Sequence, residues 1–140
     1  MIGVFDSGLG GLSVLAALVQ ALPRADFRYY ADTAHVPYGN KSDEQIQRRV
    51  LAIGGELAGM GCDLLVVACN TATAAAVQAL RAAHPSIPVV GVEPGIKPAA
   101  QETRSGRIAV LATESTAKSA RLHKLIRDHA EGIDVHVEPC

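Results

Sequence analysis

Apolar residues along the chain fall into short runs that alternate with longer stretches of helical pattern. The four clearest runs are IGVF at 2–5, FRYYA at 27–31, DLLVVA at 63–68 and IPVVGV at 87–92. The run at 63–68 is typical of a strand covered on both faces, and strands that alternate with helices predict crossover connections. We therefore expect an α/β fold in which a parallel sheet forms a three-layer domain of the Rossmann or flavodoxin-like kind.

Two of the predicted helices have recognisable ends and apolar faces. The stretch 10–22 predicts a helix that Pro23 closes, with its apolar face at Leu15, Leu18, Val19 and Leu22. Ser42 and Gln45 have the spacing of a capping box, which predicts the start of a second helix. The apolar stripe predicted for that second helix consists of Ile46, Val50, Ile53 and Leu57.

The pattern of strand, polar loop and helix restarts in the last third of the chain. RIAVLATESTAKSARL at 107–122 is similar in pattern to MIGVFDSGLGGLSVLAAL at 1–18, and a further strand, IDVHV, follows at 133–137. We expect a first α/β domain at 1–93 and the beginning of a second, similar α/β domain at 94–140, which is truncated. Because the segment 94–140 contains so few strands and helices, we expect it to leave apolar strand edges uncovered.

Polar and specific residues follow the carboxyl end of each predicted strand. They are Asp6 and Ser7, the loop with Pro37, Tyr38 and Gly39, then Cys69, Asn70 and Thr71, and finally Glu93, Pro94 and Gly95. In open parallel sheets, ligands bind beyond the carboxyl ends of the strands. This edge of the sheet is therefore the expected functional site.

Composition and charge narrow the class of protein. Thirteen Lys and Arg residues against fourteen Asp and Glu residues give a net charge of −1, which disfavours nucleic acid or an anionic membrane as a partner. The three cysteines include no Cys-x-x-Cys pair, so neither a disulfide framework nor a zinc site is predicted. No signal peptide or membrane span is recognised, and a cytoplasmic location is expected.

Cys69 lies at the joint between the third predicted strand and the helix that follows it. A buried cysteine is commonly a packing residue, and Cys62 at the other end of that strand is interpreted in this way. A helix N-terminus also supplies free N–H groups and a partial positive charge, which favour a thiolate and bind a carboxylate. Both a structural and a chemical role for Cys69 are therefore open, and His35 is the one histidine in the site loops that could serve it as a base.

Two phosphate-binding interpretations fail on spacing. The glycines of DSGLGG, at positions 8, 10 and 11, do not match Gly-x-Gly-x-x-Gly, and Asp6 would repel a phosphate. The thiol loop of a phosphatase ends in a nearby arginine, whereas the first arginine after Cys69 is Arg81, inside the next helix. Neither nucleotide binding nor phosphate transfer is predicted.

Five segments taken together resemble one family. They are IGVFDSGLGGLSVL, ADTAHVPYGNKS, VVACNTATAAA, VVGVEPGIKPA and GRIAVLATESTAKS. In this order and spacing they are similar to the N-terminal half of the glutamate racemases, within the wider group of aspartate and hydantoin racemases. DSGLGG and VPYG point to the glutamate members.

The resemblance implies two similar α/β domains facing each other across a cleft, with no pyridoxal phosphate, metal or other cofactor. Cys69 matches one of two cysteines that flank the α-carbon of glutamate, and Asp6 matches the carboxylate that assists proton transfer. The positions that match substrate contacts are Asp6, Ser7, Tyr38, Gly39, Asn70, Thr71 and either Thr113 or Thr116, the sequence not deciding which. The family's second cysteine, which precedes Thr-His, matches no residue of this chain.

The implied function is the cofactor-independent interconversion of L- and D-glutamate, which supplies D-glutamate for peptidoglycan synthesis. The implied partner is the small-molecule substrate, with a possible homodimer. Three other interpretations remain open at this point. They are a non-catalytic glutamate-binding fragment, an aspartate racemase-like enzyme, and a redox or hydrolytic enzyme that uses Cys69 alone.

Overall fold

The computed structural model describes residues 1–140 and contains a four-stranded parallel sheet in the order β2-β1-β3-β4. Its strands are β1 (Ile2–Asp6), β2 (Phe27–Ala31), β3 (Leu64–Val67) and β4 (Val89–Gly91). The chain adds β2 on one side of β1 and then β3 and β4 on the other. The predicted parallel α/β sheet is confirmed.

Three α-helices and a short 3₁₀ helix accompany this sheet. They are α1 (Leu12–Ala21), the 3₁₀ helix Thr33–His35, α2 (Asp43–Gly59) and α3 (Asn70–Ala83). The predicted capping box at the start of α2 is present, since Gln45 N donates to Ser42 Oγ at 3.3 Å and Ser42 N donates to Gln45 Oε1 at 3.0 Å. These reciprocal bonds satisfy two of the N–H groups that a helix start leaves without partners.

The main core lies between the sheet and the pair α2 and α3. All four residues of the predicted α2 stripe are fully buried: Ile46, Val50, Ile53 and Leu57. They pack with Phe5, Leu65 and Leu80 in one cluster of buried side chains, which extends to Cys69 at the start of α3. This cluster anchors the first turn of α3 against the sheet.

The opposite face of the sheet is covered more thinly, by α1. Val14, Leu15 and Leu18 pack there against Val4 and Val66. The predicted apolar face was wrong at its C-terminal end, because Val19 is 46% and Leu22 is 45% exposed. Only the stripe of Val14, Leu15 and Leu18 packs against the sheet, and the last turn of α1 is left exposed.

The last third of the chain forms a second, smaller unit. It contains α4 (Ile96–Glu102), β5 (Arg107–Ala112), α5 (Glu114–Lys118), α6 (Ala120–His129) and β6 (Asp134–Pro139). β5 and β6 pair in parallel as a separate two-stranded sheet. Its core is small, with Ile96, Val110, Leu122 and Ala130 buried, and β5 leaves Leu111 74% exposed.

None of the helices combines the length and the apolar character that a membrane span requires. The two sheets do not pair with each other, and the carboxyl end of the first faces β5 of the second across a cleft. The fold therefore presents the strand-end residues of the first unit to an open space bounded by the second.

Candidate functional site

A cleft of about 900 Å³ lies at the carboxyl ends of β1 and β3. The chain reverses its direction across the sheet between these two strands, and ligands of open parallel sheets bind at this kind of switch point. Seven residues predicted from the sequence line the cleft: Asp6, Ser7, Cys69, Asn70, Thr71, Thr113 and Thr116. Tyr38 and Gly39 do not line it, and Gly39 lies in a neighbouring depression.

Asp6 ends β1 and organises the loop that follows. Its Oδ2 accepts hydrogen bonds from Gly8 N at 3.0 Å and Gly11 N at 3.1 Å, and the side chain is buried. A Cβ at Gly11 would lie 2.6 Å from Asp6 Cβ and 2.9 Å from Tyr29 Oη, so the loop requires glycine there. Both hydrogen bonds to the carboxylate go to Oδ2, and Asp6 lines the cleft.

Cys69 is the N-cap residue of α3. Its Sγ accepts a hydrogen bond from Ala72 N at 3.4 Å and lies 3.7 Å from Ser7 Oγ. The thiol is 8% exposed, at the wall of the cleft. It therefore joins the two loops that follow β1 and β3.

The expected thiolate-favouring effect of the helix start does not dominate at Cys69. Burial raises the pKa of the thiol above its ordinary value, and the Asp6 charge acts in the same direction. The hydrogen bonds of Cys69 with Ala72 N and with Ser7 lower the pKa but do not offset burial. The donors at the helix start lower the pKa as the sequence predicts, but the net direction is upward, because burial removes hydration from a charged sulfur.

The first turn of α3 offers further donors to the cleft. Thr73 N makes the first intrahelical hydrogen bond, to Cys69 O at 2.9 Å. The N–H groups of Asn70 and Thr71 precede it and therefore have no acceptor within the helix. Asn70 is exposed and lines the cleft. N–H groups in this arrangement, together with the helix dipole, favour a bound carboxylate.

Three threonine hydroxyls meet where the two units approach each other. Thr71 Oγ1 lies 2.9 Å from Thr113 Oγ1 and 3.3 Å from Thr116 Oγ1. Thr113 is the N-cap of α5, and its Oγ1 lies 3.2 Å from Thr116 Oγ1 and accepts from Thr116 N at 3.3 Å. The sequence left open which of Thr113 and Thr116 faces the site, and both do.

Tyr38 is buried, and its hydroxyl points to a carboxylate rather than to the cleft. It donates to Asp32 Oδ2 at 2.6 Å. Gly39, the next residue, packs against Thr113, where an added Cβ would come within 2.8 Å of Thr113 Cβ. Direct substrate contacts by Tyr38 and Gly39 stay a prediction, whereas the packing of Gly39 against Thr113 is a feature of the structure.

Asp32 and Arg49 were missed by the sequence analysis. Arg49 donates to Asp32 twice, from Nε at 3.0 Å and from a terminal nitrogen at 2.7 Å. Asp32 follows β2 as Asp6 follows β1, which was a usable signal. Arg49 has no comparable signal, because a helical arginine next to another arginine is typical of a solvated face.

His35 is not placed to act as a base for Cys69. Its Nδ1 lies 2.9 Å from Asp32 Oδ1, whereas the Cys69 sulfur makes its hydrogen bonds with Ser7 Oγ and Ala72 N. Nucleophilic catalysis by a cysteine needs a base within hydrogen-bond reach of the sulfur. The geometry therefore disfavours a hydrolytic enzyme that relies on His35.

Comparisons with known proteins agree on one family. The family model for Asp/Glu/hydantoin racemases matches residues 2–139. Glutamate racemase of Pseudomonas aeruginosa is 52% identical over 139 residues, which cover 99% of this chain and 52% of that protein. Glutamate racemase of Methylococcus capsulatus is 48% identical over the same share of this chain and 51% of its own length. The chain spans about half the length of the curated relatives it matches.

Solved structures show the same relationship. Escherichia coli glutamate racemase, in complex with L-glutamate and the activator UDP-MurNAc-Ala, matches with a TM-score of 0.91 and 41% identity over 99% of this chain and 52% of that one. The Francisella tularensis glutamate racemase in complex with D-glutamate matches with a TM-score of 0.83 and 33% identity, over 99% of this chain and 52% of that one. The arrangement of both sheets is therefore that of half a glutamate racemase.

Proposed function

Because the chain belongs to the Asp/Glu/hydantoin racemase family, we propose that it supplies one wall of the active site of a glutamate racemase. The reaction is the interconversion of L- and D-glutamate without pyridoxal phosphate. The observation that carries the proposal is the position of Cys69, a buried thiol at a helix N-terminus that opens onto a cleft also lined by Asp6 and the threonine cluster.

The first turn of α3 binds the α-carboxylate of glutamate in this proposal. Asn70 and Thr71 line the cleft, their N–H groups belong to the first turn of the helix, and the helix dipole favours the negative charge. Proton removal next to a carboxylate adds charge to a group that is already negative. Donors that are already in position stabilise this charge without reorganisation, which is the largest contribution many active sites make.

Cys69 exchanges the α-proton on one face of the substrate. As thiolate it takes the proton from the α-carbon, forming an S–H bond and a carbanion; in the reverse direction the thiol returns that proton. Burial raises the thiol pKa, so formation of the thiolate needs a proton acceptor, and Asp6 is the neighbouring carboxylate on the same wall. A base works best when its pKa lies near the working pH.

Inversion requires a second acid on the opposite face of the α-carbon. Cys62 is 3% exposed and belongs to the core, so it is not a candidate. Cys140 lines the cleft but stands in no matching motif. We assign the second acid to a part of the protein outside these residues, in keeping with the chain's match to about half of its relatives.

The finer assignments are proposals that the resemblance to the family supports. D-glutamate made in the cytoplasm would supply peptidoglycan synthesis, and the partner is the amino-acid substrate, with a homodimer as one possible assembly. An aspartate racemase-like activity is a weaker candidate, because the named relatives at 48–52% identity are glutamate racemases. A non-catalytic glutamate-binding fragment is the second candidate function, favoured by the single motif-matched cysteine.

Exchange of the α-proton separates these candidates. The chain is incubated with L- or D-glutamate in deuterium oxide, NMR follows loss of the α-proton, and circular dichroism follows inversion. We expect exchange from one enantiomer without inversion, abolished by Cys69→Ser and retained by Cys62→Ser. Binding of glutamate without any exchange would leave the binding fragment as the function. Inversion by this chain alone would contradict the assignment of the second acid.

A further inference from the structure

The buried carboxylate of Asp32, at the carboxyl end of β2, interacts with three side chains. Asp32 follows β2 and is 3% exposed. It accepts the two-pronged hydrogen bond from Arg49 of α2, a hydrogen bond from the Tyr38 hydroxyl, and a contact at 2.9 Å from His35 Nδ1. A bidentate arginine–carboxylate pair fixes orientation as well as charge, which a single contact does not.

The charge of Asp32 is maintained by these partners. Burial acts to raise the pKa of the carboxyl, but hydrogen bonds from Arg49, Tyr38 and His35 outweigh it and hold the pKa down to about 2. Burial and the bond to Asp32 raise the pKa of the Tyr38 phenol above its ordinary value, so the phenol remains a donor. The carboxylate is therefore a permanent acceptor at neutral pH.

Tyr38 transmits this anchor to the loop between β2 and α2. Its ring is 2% exposed and belongs to the same buried cluster as Cys69. Its carbonyl accepts from Lys41 N at 3.0 Å, which closes the turn that contains Gly39. Fixing the Tyr38 hydroxyl therefore fixes the turn as well.

Gly39 brings the turn against the second unit. An added Cβ there would lie 2.8 Å from Thr113 Cβ and 2.9 Å from Thr113 Cγ2, so the backbone packs closely on that side chain. Thr113 in turn meets Thr71, the second residue of α3. An unbroken series of contacts thus joins Arg49 to the start of the helix that Cys69 caps.

We propose that Arg49 is a positioning residue for the site: through Asp32 and Tyr38 it holds Gly39 against Thr113 and keeps the Cys69 thiol sheltered. Arg49 makes its side-chain hydrogen bonds to Asp32 alone, so it acts through this series and not on a substrate. The inference rests on the proposed role of Cys69 and the threonines in glutamate binding. Its test is therefore built on thiol reactivity, which needs no substrate.

The test compares three variants of the full chain, each with one substitution in α2. Arg49→Gln removes the positive charge and the bidentate hydrogen bond to Asp32. Arg49→Lys keeps the charge but cannot form the bidentate hydrogen bond. Arg48→Gln is the matched control, because Arg48 is the exposed neighbour and makes no side-chain hydrogen bond or ion pair. Each variant is alkylated with iodoacetamide over time, and cleavage before Asp63 separates the peptide with Cys62 from the peptide with Cys69.

Cys62 reports on general unfolding, because it is buried in the core cluster at the far end of β3. We expect Arg49→Gln to raise the alkylation rate of Cys69 about tenfold with no change at Cys62, since hydrogen bonds to a charged group are lost near the site. Arg49→Lys should fall between Arg49→Gln and the wild type. Arg48→Gln should match the wild type.

Two outcomes would overturn the proposal. One is an unchanged rate at Cys69 in Arg49→Gln. The other is a parallel rise at Cys62 and Cys69, which would mean that Arg49 supports stability in general. Titration with D-glutamate, followed by NMR at the amides of Thr71 and Thr113, tests the proposed function independently of the alkylation experiment. No binding by the wild type, combined with the selective rise at Cys69, would contradict the racemase assignment and support the positioning role.

Discussion

The hydroxyl oxygens of Thr71 and Thr113 lie 2.9 Å apart, one in the first turn of α3 and the other just before α5. The contact joins the four-stranded unit to the two-stranded unit, whose sheets share no backbone pairing. Thr116 adds a second hydroxyl at 3.3 Å from that of Thr71. The relative position of the two walls of the cleft therefore depends in part on side-chain hydrogen bonds that a single substitution can remove.

Thr71→Val should loosen the second unit. Valine keeps the volume of threonine but loses both hydroxyl contacts, at a cost of about 1 kcal/mol in the free energy of unfolding. Amide hydrogen exchange at residues 113–119 should become faster. Thr73→Val is the control, because Thr73 is buried on the same helix but donates to Val67 O inside the first unit. Equal acceleration at 113–119 in both variants would contradict the bridging role.

Cys69 should titrate above the ordinary cysteine range. Burial raises its pKa, so the pH at which alkylation reaches half its maximum should exceed the roughly 8.5 of a free cysteine. Ser7→Ala should move this midpoint higher, because the hydrogen bond between Cys69 and Ser7 lowers the pKa. Ser13→Ala is the control, since the Ser13 hydroxyl donates to Gly10 O. A midpoint below that of a free cysteine would mean that the helix start outweighs burial.

Gly11→Ala should destabilise the loop that holds Asp6. The new Cβ would lie 2.6 Å from Asp6 Cβ and 3.0 Å from Ala68 Cβ, and such overpacking costs about 1–3 kcal/mol. Gly55→Ala in the middle of α2 meets nothing within 4 Å and should stabilise the protein by about 0.5–1 kcal/mol. Denaturant unfolding measures both changes. Gly11→Ala with the stability of the wild type would show that the loop can shift freely.

Asp32 should make stability depend on pH in the acid range. Its folded pKa of about 2 lies below the unfolded value of roughly 3.9, so its contribution is present above about pH 4 and is lost as the pH falls through the folded pKa. The difference in free energy of unfolding between wild type and Asp32→Asn should therefore shrink as the pH falls from about 5 to about 2.

Asp26→Asn removes an exposed carboxylate without a side-chain hydrogen bond and serves as the control for Asp32. Unfolding by urea at each pH gives the free energies. A difference between wild type and Asp32→Asn that stays constant down to pH 2 would contradict the charged, hydrogen-bonded state of Asp32.

Features set by neighbours in the chain could be predicted from the sequence. The capping box of Ser42 and Gln45 and the buried stripe of α2 depend on helical spacing alone, and both are present. The parallel sheet follows from the alternation of strands and helices. Because parallel strands end at the same edge of a sheet, this alternation also predicts that Asp6, Ser7 and Cys69 lie together, and all three line the cleft.

Features set by contacts between distant segments needed the tertiary structure. The pKa of Cys69 depends on how much water the folded chain excludes, and the helix start alone indicated the wrong direction. Val19 and Leu22 fit a helical stripe, yet the folded chain leaves both exposed. Arg49 meets Asp32 only because α2 packs beside the end of β2. Hydration and packing are properties of the whole fold, and short-range sequence patterns do not carry them.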